Sequence, residues 1–348
     1  MPRRYDESDV RVRPGRGSRP RTKQRPEHAD ARTGLVTGVD RGRYAVLVAP
    51  ADDEAERVVV AMKARELGRE RVVPGDRVDV VGDVSGAQGT LARIVRIGQR
   101  RTVLRRTADD TDPVERVIVA NADQLVIVTA LAEPEPRARM IDRCVVAAYD
   151  AGMSVLLTLT KADLADPAPL AALYEPVGVS VVVTRRTGAA IDGLDALRAA
   201  LAGKVSVLVG HSGVGKSTLV NALVPDAARA VGDVNDVTGR GRHTSTSAVA
   251  LRVPGPGPTW VIDTPGVRSF GLAHVTVEHL LAAFADLAAV AAECPRGCTH
   301  AADAPDCELD AWVAAAPDEP TRAARVDSFR RLLVSRSGAP EPDEPPAR

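Results

Sequence analysis

The chain lacks the features that would assign it to a broad class at once: an excess of one charge, a long apolar run and many cysteines. Among 348 residues, 46 Lys and Arg balance 46 Asp and Glu, so the overall charge does not indicate a nucleic-acid partner. No apolar run is long enough to span a bilayer and the N-terminus has no signal-peptide core, so we expect a cytoplasmic protein without a membrane partner. The 4 cysteines, mostly clustered, favour a metal site over a disulfide framework.

Short β-type runs dominate residues 34–98, and turn residues such as Val73–Asp76 separate them. Five such runs in so short a stretch predict a small barrel, for which the OB-fold is the natural candidate. Residues 1–33 are rich in Lys, Arg and Pro and are expected to form a disordered basic arm, which binds either a partner or nothing. After the barrel, the basic segment Gln99–Arg106 either contacts phosphate or is a solvated linker.

Strands and helices alternate from residue 114 onward, which is typical of an α/β domain. On the first of these helices, Cys144 lies on the apolar face and is expected to be a core residue. The sequence predicts strands over 124–129, 154–159, 179–183, 205–209 and 259–262, and helices over 137–151, 167–174, 191–201, 277–292 and 319–335.

The segment Gly210–Ser217 matches the phosphate-loop pattern G-x-x-x-x-G-K-S/T at every fixed position. A predicted strand precedes it and a helix follows, as the pattern requires. Its glycines let backbone N–H groups turn toward phosphate oxygens, Lys216 would reach the β- and γ-phosphates, and Ser217 would bind Mg²⁺. The predicted nucleotide-binding residues of this segment are Gly210, His211, Ser212, Gly213, Val214, Gly215, Lys216, Ser217 and Thr218.

A second phosphate-related motif, Asp263-Thr264-Pro265-Gly266, follows the last predicted strand. In such a motif the aspartate holds Mg²⁺ and the glycine N–H meets the γ-phosphate. The polar, Gly-rich residues 231–248 are expected to supply a further magnesium ligand. The candidates are Thr244, Ser245 and Thr246, of which we favour Ser245, with Thr246 second.

The segment Thr160-Lys161-Ala162-Asp163 resembles the guanine-recognition motif Asn/Thr-Lys-x-Asp and also follows a strand. Its carboxylate can accept hydrogen bonds from the ring N–H and the amine of guanine, and the stem of Lys161 would lie along the base. Ordinary GTPases carry this motif after the phosphate loop, whereas here it comes first. The order predicts a circularly permuted GTPase domain.

Three cysteines and a histidine follow with the spacing C-x₃-C-x-H-x₆-C: Cys294, Cys298, His300 and Cys307. Thiolate and imidazole ligands in this pattern predict one closed, structural Zn²⁺ site. His274 and His279 lie outside the spacing and are expected at the surface.

Together, these motifs resemble the RsgA family, the ribosome small-subunit-dependent GTPases. The resemblance implies a monomeric late assembly factor that binds GTP and GDP, contacts ribosomal RNA of the small subunit through the OB-fold and zinc domain, and is released when the subunit stimulates hydrolysis. Thr160 stands where the family usually has Asn, Thr184–Arg186 matches the loop behind the guanine only loosely, and Val267 replaces the water-orienting Gln of many GTPases. The resemblance therefore points to His243 as a catalytic residue, in addition to Lys216 and Gly266.

Two other functions compete with this interpretation: an ATPase or kinase using the same loop, and a nucleic-acid-binding module with a vestigial GTPase. The intact Lys216, Ser217, Asp263 and Gly266 speak against the second. The predicted fold is multidomain, and its parts are a basic arm at 1–33, an OB-fold β-barrel at 34–98, a linker at 99–113, a permuted α/β P-loop GTPase domain at 114–275, a helical zinc-binding domain at 276–336 and a disordered tail at 337–348.

Overall fold

The computed structural model describes residues 28–48, 55–106, 115–188, 190–225, 248–264, 270–272 and 274–336. Several predicted site residues lie outside these ranges: His243, Thr244, Ser245, Thr246 and Gly266. Most of the predicted basic arm and the C-terminal tail also lie outside them. The domain bounds themselves stay predictions.

The N-terminal part is a closed five-stranded barrel. Its strands are β1 (Arg32–Asp40), β2 (Arg43–Val48), β3 (Arg57–Lys63), β4 (Arg77–Gly82) and β5 (Ala92–Ile97). They run in the order β1-β2-β3-β5-β4, and pairing of β1 with β4 closes the barrel. Only β3 and β5 pair in parallel within it. This is the predicted OB-fold arrangement, with alternate apolar side chains of each strand in the barrel core.

A two-stranded hairpin connects the barrel to the next domain. It consists of β6 (Val103–Arg106) and β7 (Arg116–Ala120), so part of the predicted linker is a strand. The arginines before it are paired: Arg100 donates to both carboxylate oxygens of buried Asp76, at 2.7 and 2.8 Å, and Arg101 lies 3.1 Å from Asp123. Arg100 therefore contacts the barrel and Arg101 contacts the α/β domain, so the two arginines join these parts.

The α/β domain is built on a largely parallel sheet. Its strands are β8 (Gln124–Ala130), β9 (Ser154–Thr160), β10 (Ser180–Val183), β13 (Val205–Val209), β14 (Val249–Arg252) and β15 (Trp260–Asp263). They lie in the order β10-β9-β8-β13-β15-β14, and β14 alone is antiparallel to its neighbour. Every residue of β8 is buried, as expected for a central strand covered on both faces. A pairing of Gly38 with Val249 joins this sheet to the barrel.

The helices that cover the sheet are α1 (Ala138–Asp150), α2 (Ala168–Tyr174), α3 (Leu194–Leu201) and α4 (Lys216–Leu223). The prediction of a helix from 191 was wrong at its start, because Ala190–Asp192 is strand β12 and pairs with β11 (Arg185–Thr187). Gly193 separates the two elements with φ of +84°, and a Cβ there would lie 2.1 Å from the Val183 carbonyl oxygen. This close approach ends the hairpin before the helix can begin.

The C-terminal part is helical, with α5 (Val277–Ala282), α6 (Ala285–Ala291), α7 (Glu308–Ala314) and α8 (Pro320–Arg336). The single helix predicted over 277–292 was wrong, because the chain leaves helical geometry at Phe284. That residue is fully buried, and its ring packs edge-on against Tyr149 of α1 and Phe329 of α8 at 5.6 and 5.5 Å. Burial of the aromatic ring therefore sets the break. Among the described helices, none is long and apolar enough to cross a membrane.

The turn at Gly75 fixes the barrel against the hairpin, and we predict that it accepts no side chain. Gly75 has φ of +86°, and a Cβ there would lie 2.0 Å from the Ala120 carbonyl oxygen. Gly75→Ala should cost about 1–2 kcal/mol for the left-handed conformation and about 1–3 kcal/mol more for the overlap, measured as the free energy of unfolding in urea.

Gly42→Ala is the matched control, because Gly42 has φ of +82° but nothing within 4 Å of its Cβ position. It should show the conformational cost alone. Equal losses in the two variants would contradict the tight contact at Ala120.

Candidate functional site

The predicted motifs meet at one edge of the parallel sheet. The carboxyl ends of β9, β10, β13 and β15 lead into Thr160–Asp163, Thr184–Arg186, Gly210–Ser217 and Asp263–Thr264. Because parallel strands end on the same side of a sheet, loops from distant parts of the chain converge there. The shuffled chain order leaves this convergence intact.

The loop from Gly210 to Ser217 has the backbone geometry that phosphate binding requires. A Cβ at Gly210 would lie 2.4 Å from the Val128 carbonyl oxygen, so only glycine fits at the end of β13. Gly213 and Gly215 have φ of +83° and +93°, and Gly215 directly precedes α4. The first N–H groups of a helix have no partner within it, so the N-terminus of α4 directly after this loop is suited to bind an anion.

Asp263 offers an oxygen to a cation in this space. Its Oδ1 atom is buried and has no hydrogen-bond partner among the described residues, although the ammonium of Lys216 lies 3.6 Å away. The neighbouring Thr264 hydroxyl donates to the Leu208 carbonyl at 2.8 Å and fixes this end of β15 to β13. An unsatisfied carboxylate oxygen beside the start of α4 fits a hard divalent cation.

Thr160 joins the base-recognition segment to the phosphate loop. Its buried hydroxyl donates to the Val214 carbonyl at 2.6 Å, and the Cβ position of Gly215 lies 3.7 Å from the Thr160 hydroxyl oxygen. The next residue, Lys161, has φ of +57°, and its ammonium donates to the Glu133 carbonyl. Thr160 thus connects the two loops although it replaces the more usual Asn.

The loop after β10 packs against the same segment. The Arg186 N–H donates to Asp163 Oδ1 at 3.4 Å, and the Ala162 N–H donates to the Thr184 carbonyl at 3.3 Å. The β11–β12 hairpin carries this loop, and Asp192 closes the hairpin by accepting from Arg185 and Thr187, each at 2.9 Å. Sequence reasoning missed the hairpin, although Gly188 and the β-branched Ile191 are signals for it.

The Cys₃His residues form a compact group that could hold a metal ion. The ligand atoms of Cys294, Cys298, His300 and Cys307 all lie within 4.8 Å of one another. The His300 Nδ1 atom is 3.6 Å from the Cys294 sulfur and 3.9 Å from the Cys307 sulfur. Backbone N–H groups of His300 and Glu308 donate to the Cys298 and Cys294 sulfurs at 3.4 and 3.3 Å, an arrangement that orients the sulfurs inward.

The electrostatics of this group suit a bound cation. Burial and the neighbouring thiols raise the pKa of Cys294 to about 11, so negative charge is unfavourable there without a cation. Burial and the nearby Arg330 lower the pKa of His300, which favours the neutral, metal-binding imidazole. Arg330 also donates to the His300 carbonyl at 3.2 Å and pairs with Asp310 through two contacts of 2.8 Å.

Two expectations for residues outside these sites have different outcomes. Cys144 is a core residue, and burial raises the pKa of its thiol to about 12. The expectation of a surface position was wrong for His274, whose side chain is 9% exposed and lies 3.4 Å from Asp150. His279 is exposed as expected, although it also contacts Asp150, at 2.9 Å. Both histidines are held at the end of α1, a long-range contact that local sequence does not reveal.

The hydroxyl of Thr160 should stabilise the junction of the two loops. Thr160→Val removes the donor to the Val214 carbonyl, so we expect a loss of about 1–3 kcal/mol in the free energy of unfolding. Nucleotide affinity should fall as well, because the phosphate loop is held less firmly. Urea denaturation and titration with a fluorescent guanine nucleotide measure the two effects.

Thr158→Val is the matched control, because Thr158 is a buried residue of the same strand whose hydroxyl has no hydrogen-bond partner among the described residues. Loss of the Thr158 hydroxyl should leave the free energy of unfolding unchanged or raise it. If both variants behaved alike, the hydrogen bond to Val214 would have no special role.

Comparison with known proteins supports the geometric result. The RsgA GTPase family profile matches residues 97–273. A "Small ribosomal subunit biogenesis GTPase RsgA" of Pseudomonas aeruginosa is 39% identical over 259 residues, covering 72% of this chain and 73% of its own length. A protein of the same name from Chlorobaculum parvum is 32% identical over 312 residues, covering 87% and 97%.

Solved structures share the fold. The structure of YjeQ from Thermotoga maritima superimposes with a TM-score of 0.64 at 23% identity and covers 89% of this chain and 100% of its own. YloQ, described as a circularly permuted GTPase, superimposes with a TM-score of 0.62 at 22% identity and covers 90% and 98%. These structures confirm the predicted barrel and permuted α/β fold. The family profile and the named relatives favour a GTP hydrolase over the ATPase or kinase alternative. The chain belongs to the RsgA GTPase family.

Proposed function

We propose that this GTPase acts as a late maturation factor of the small ribosomal subunit, and that the subunit stimulates hydrolysis and thereby releases the enzyme. The observation that carries the proposal is the hydrogen bond from Thr160 to Val214, which joins the base-recognition and phosphate segments into one site. The names of the family relatives indicate GTP as the substrate and the small ribosomal subunit as the particle that the enzyme helps to assemble. The enzyme would be cytoplasmic and monomeric.

In this proposal the phosphate side of the site comprises the loop from Gly210 to Thr218. Lys216 neutralises charge on the β- and γ-phosphates, and Ser217 and Asp263 hold Mg²⁺ together with Ser245 or Thr246. The bound cation would offset charge that develops on the phosphate oxygens. The Oδ1 atom of Asp263, which is buried and accepts no hydrogen bond from the described residues, supports its share of this role, and the Gly266 N–H would contact the γ-phosphate.

The guanine side comprises Thr160, Lys161 and Asp163. Asp163 accepts hydrogen bonds from the base, and the Arg186 N–H fixes its carboxylate at the loop behind it. Thr160 replaces the amide of Asn with a hydroxyl and keeps the phosphate loop in place.

We assign a single structural Zn²⁺ to Cys294, Cys298, His300 and Cys307. In a tetrahedral zinc site, the bond lengths place nitrogen and sulfur ligands about 3.6 Å apart. The Nδ1–sulfur distances of 3.6 and 3.9 Å agree with this spacing. The closed ligand set leaves no open position for catalysis. The barrel and the zinc-binding part would contact ribosomal RNA.

Stimulation by the small subunit is the central prediction. At saturating GTP, purified small subunits should raise the rate of phosphate release at least about tenfold, because Val267 cannot orient water and intrinsic turnover is therefore slow. Large subunits are the negative control and Lys216→Ala is the inactive variant. Co-sedimentation of the enzyme with small subunits, compared between a non-hydrolysable GTP analogue and GDP, tests whether hydrolysis releases the enzyme. Equal rates with and without small subunits would refute the proposal.

His243→Ala tests the catalytic residue within the same assay. This substitution should leave GTP binding intact and lower the stimulated rate of hydrolysis. The reason is that the imidazole would act on the attacking water only while the enzyme is bound to the small subunit. Unchanged stimulated turnover would remove His243 from the mechanism.

Metal removal gives a separate prediction. The protein should hold one zinc per chain, measured by elemental analysis, and Cys307→Ala should abolish it. Cys144→Ala is the matched control, because this buried cysteine lies outside the Cys₃His group. A strong chelator should lower the melting temperature of the wild type and of Cys144→Ala but not that of Cys307→Ala. Full zinc content in Cys307→Ala would contradict the assignment.

A further inference from the structure

Arg143 of α1 is a buried arginine with 8% of its surface exposed. Its Nε and Nη2 atoms both donate to the Phe270 carbonyl oxygen, at 3.0 and 2.5 Å. Its Nη1 atom donates to the Ser335 carbonyl oxygen at 3.0 Å. One guanidinium therefore holds two main-chain segments that are far apart in sequence.

The first of these segments leaves the nucleotide site. After Asp263 and Thr264 at the end of β15, Phe270 is the next described residue, and its side chain is fully buried. The start of this connection is fixed by pairing of β15 with β13. The contact with Arg143 fixes its far end.

The second segment is the end of α8, which also contacts the Cys₃His group. Arg330 donates to the His300 carbonyl at 3.2 Å. Arg331 pairs with buried Asp142 at 3.2 Å, and the Ser335 hydroxyl donates to the same carboxylate at 3.2 Å. A continuous set of contacts thus runs from the metal ligands along α8 to Arg143 and Phe270.

We propose that Arg143 is a positioning residue for GTP hydrolysis: it holds the chain that leaves Asp263 in register with α8. Through α8, the placement of the Cys₃His part is linked to the placement of Phe270, the first described residue after Asp263 and Thr264. The inference rests on the proposed role of the Asp263–Gly266 motif at the γ-phosphate. Ground-state binding of GTP uses the phosphate loop and Asp163, which Arg143 does not hold in any of the hydrogen bonds described above.

The chemistry of the guanidinium explains why this position requires arginine. Its planar fork donates in fixed directions to both carbonyl oxygens at once, whereas a lysine ammonium is a compact charge without that geometry. An apolar side chain would avoid the cost of burying a cation, but it would leave both carbonyl oxygens without these donors. The geometry of the two segments is therefore what the arginine supplies.

Arg143→Lys is the test, measured as single-turnover GTP hydrolysis by the full chain without ribosomal subunits. We expect the hydrolysis rate to fall about tenfold, in line with the sensitivity of reactions to small misplacements, while the affinity for GTP changes less than about twofold. Amide hydrogen exchange at residues 270–275 should accelerate. Arg143→Met should give a lower rate still, and if it does not fold, the lysine variant and the exchange data decide.

Arg325→Lys, on α8, is the matched control. Arg325 pairs with Asp286 and donates to the Pro176 carbonyl at 2.6 Å, so it also anchors α8 but has no described contact with Phe270. It should keep the wild-type hydrolysis rate and wild-type exchange at 270–275. An unchanged rate in Arg143→Lys, equal losses in both variants, or a loss of GTP affinity with an intact rate would overturn the inference.

Asp263→Ala separates this inference from the proposed function. If Asp263→Ala hydrolyses GTP normally, the proposed role of the motif is wrong. If Asp263→Ala is inactive and Arg143→Lys resembles the wild type, only the positioning role fails. Subunit stimulation does not enter either comparison.

Discussion

The hydrogen bond between the Thr160 hydroxyl and the Val214 carbonyl is the contact on which the proposed nucleotide site depends. It connects the end of β9 with the turn before α4, and these segments lie far apart in the chain. The parallel sheet makes the contact possible because β9, β8 and β13 are neighbours and end on the same side. Chain order can therefore change without moving the loops, since strand order in space, not in sequence, sets their meeting point.

Permutation has a structural consequence beyond the site. In this order the chain that leaves Asp263 continues directly into the C-terminal helices, whereas the base-recognition segment lies near the start of the domain. The C-terminal part has three small helices, α5–α7, and one long one, α8, and its described contacts include many from arginines. Arg325, Arg330 and Arg331 reach Asp286, Asp310 and Asp142. These bonds, the buried Phe284 and the Cys₃His group fix a segment that has limited apolar surface of its own.

The sequence predicted those parts of the candidate site in which a short motif fixes backbone geometry. The phosphate loop needs glycines at positions that only glycine can occupy, and the Cys₃His group has a ligand spacing that few other structures require. Other features depend on contacts between distant segments. The helix break at Phe284 follows from packing against Tyr149 and Phe329, and the burial of His274 follows from its contact with Asp150. Local periodicity carries no signal for either, so both predictions failed.

Neighbouring residues 142 and 143 on α1 show how buried charge can specify geometry. Burial raises the pKa of Asp142, and the nearby Arg331 opposes that shift. An ion pair in such a place contributes little net stability compared with apolar packing, because desolvation offsets the attraction. The hydrogen bonds of these two residues nevertheless require a specific arrangement. Asp142 accepts from Arg331 and Ser335, while Arg143 donates to the carbonyls of Ser335 and Phe270. Misplacing α8 would leave several of these groups without partners, so Asp142 and Arg143 together select a single docking position for the helix that contacts the Cys₃His group.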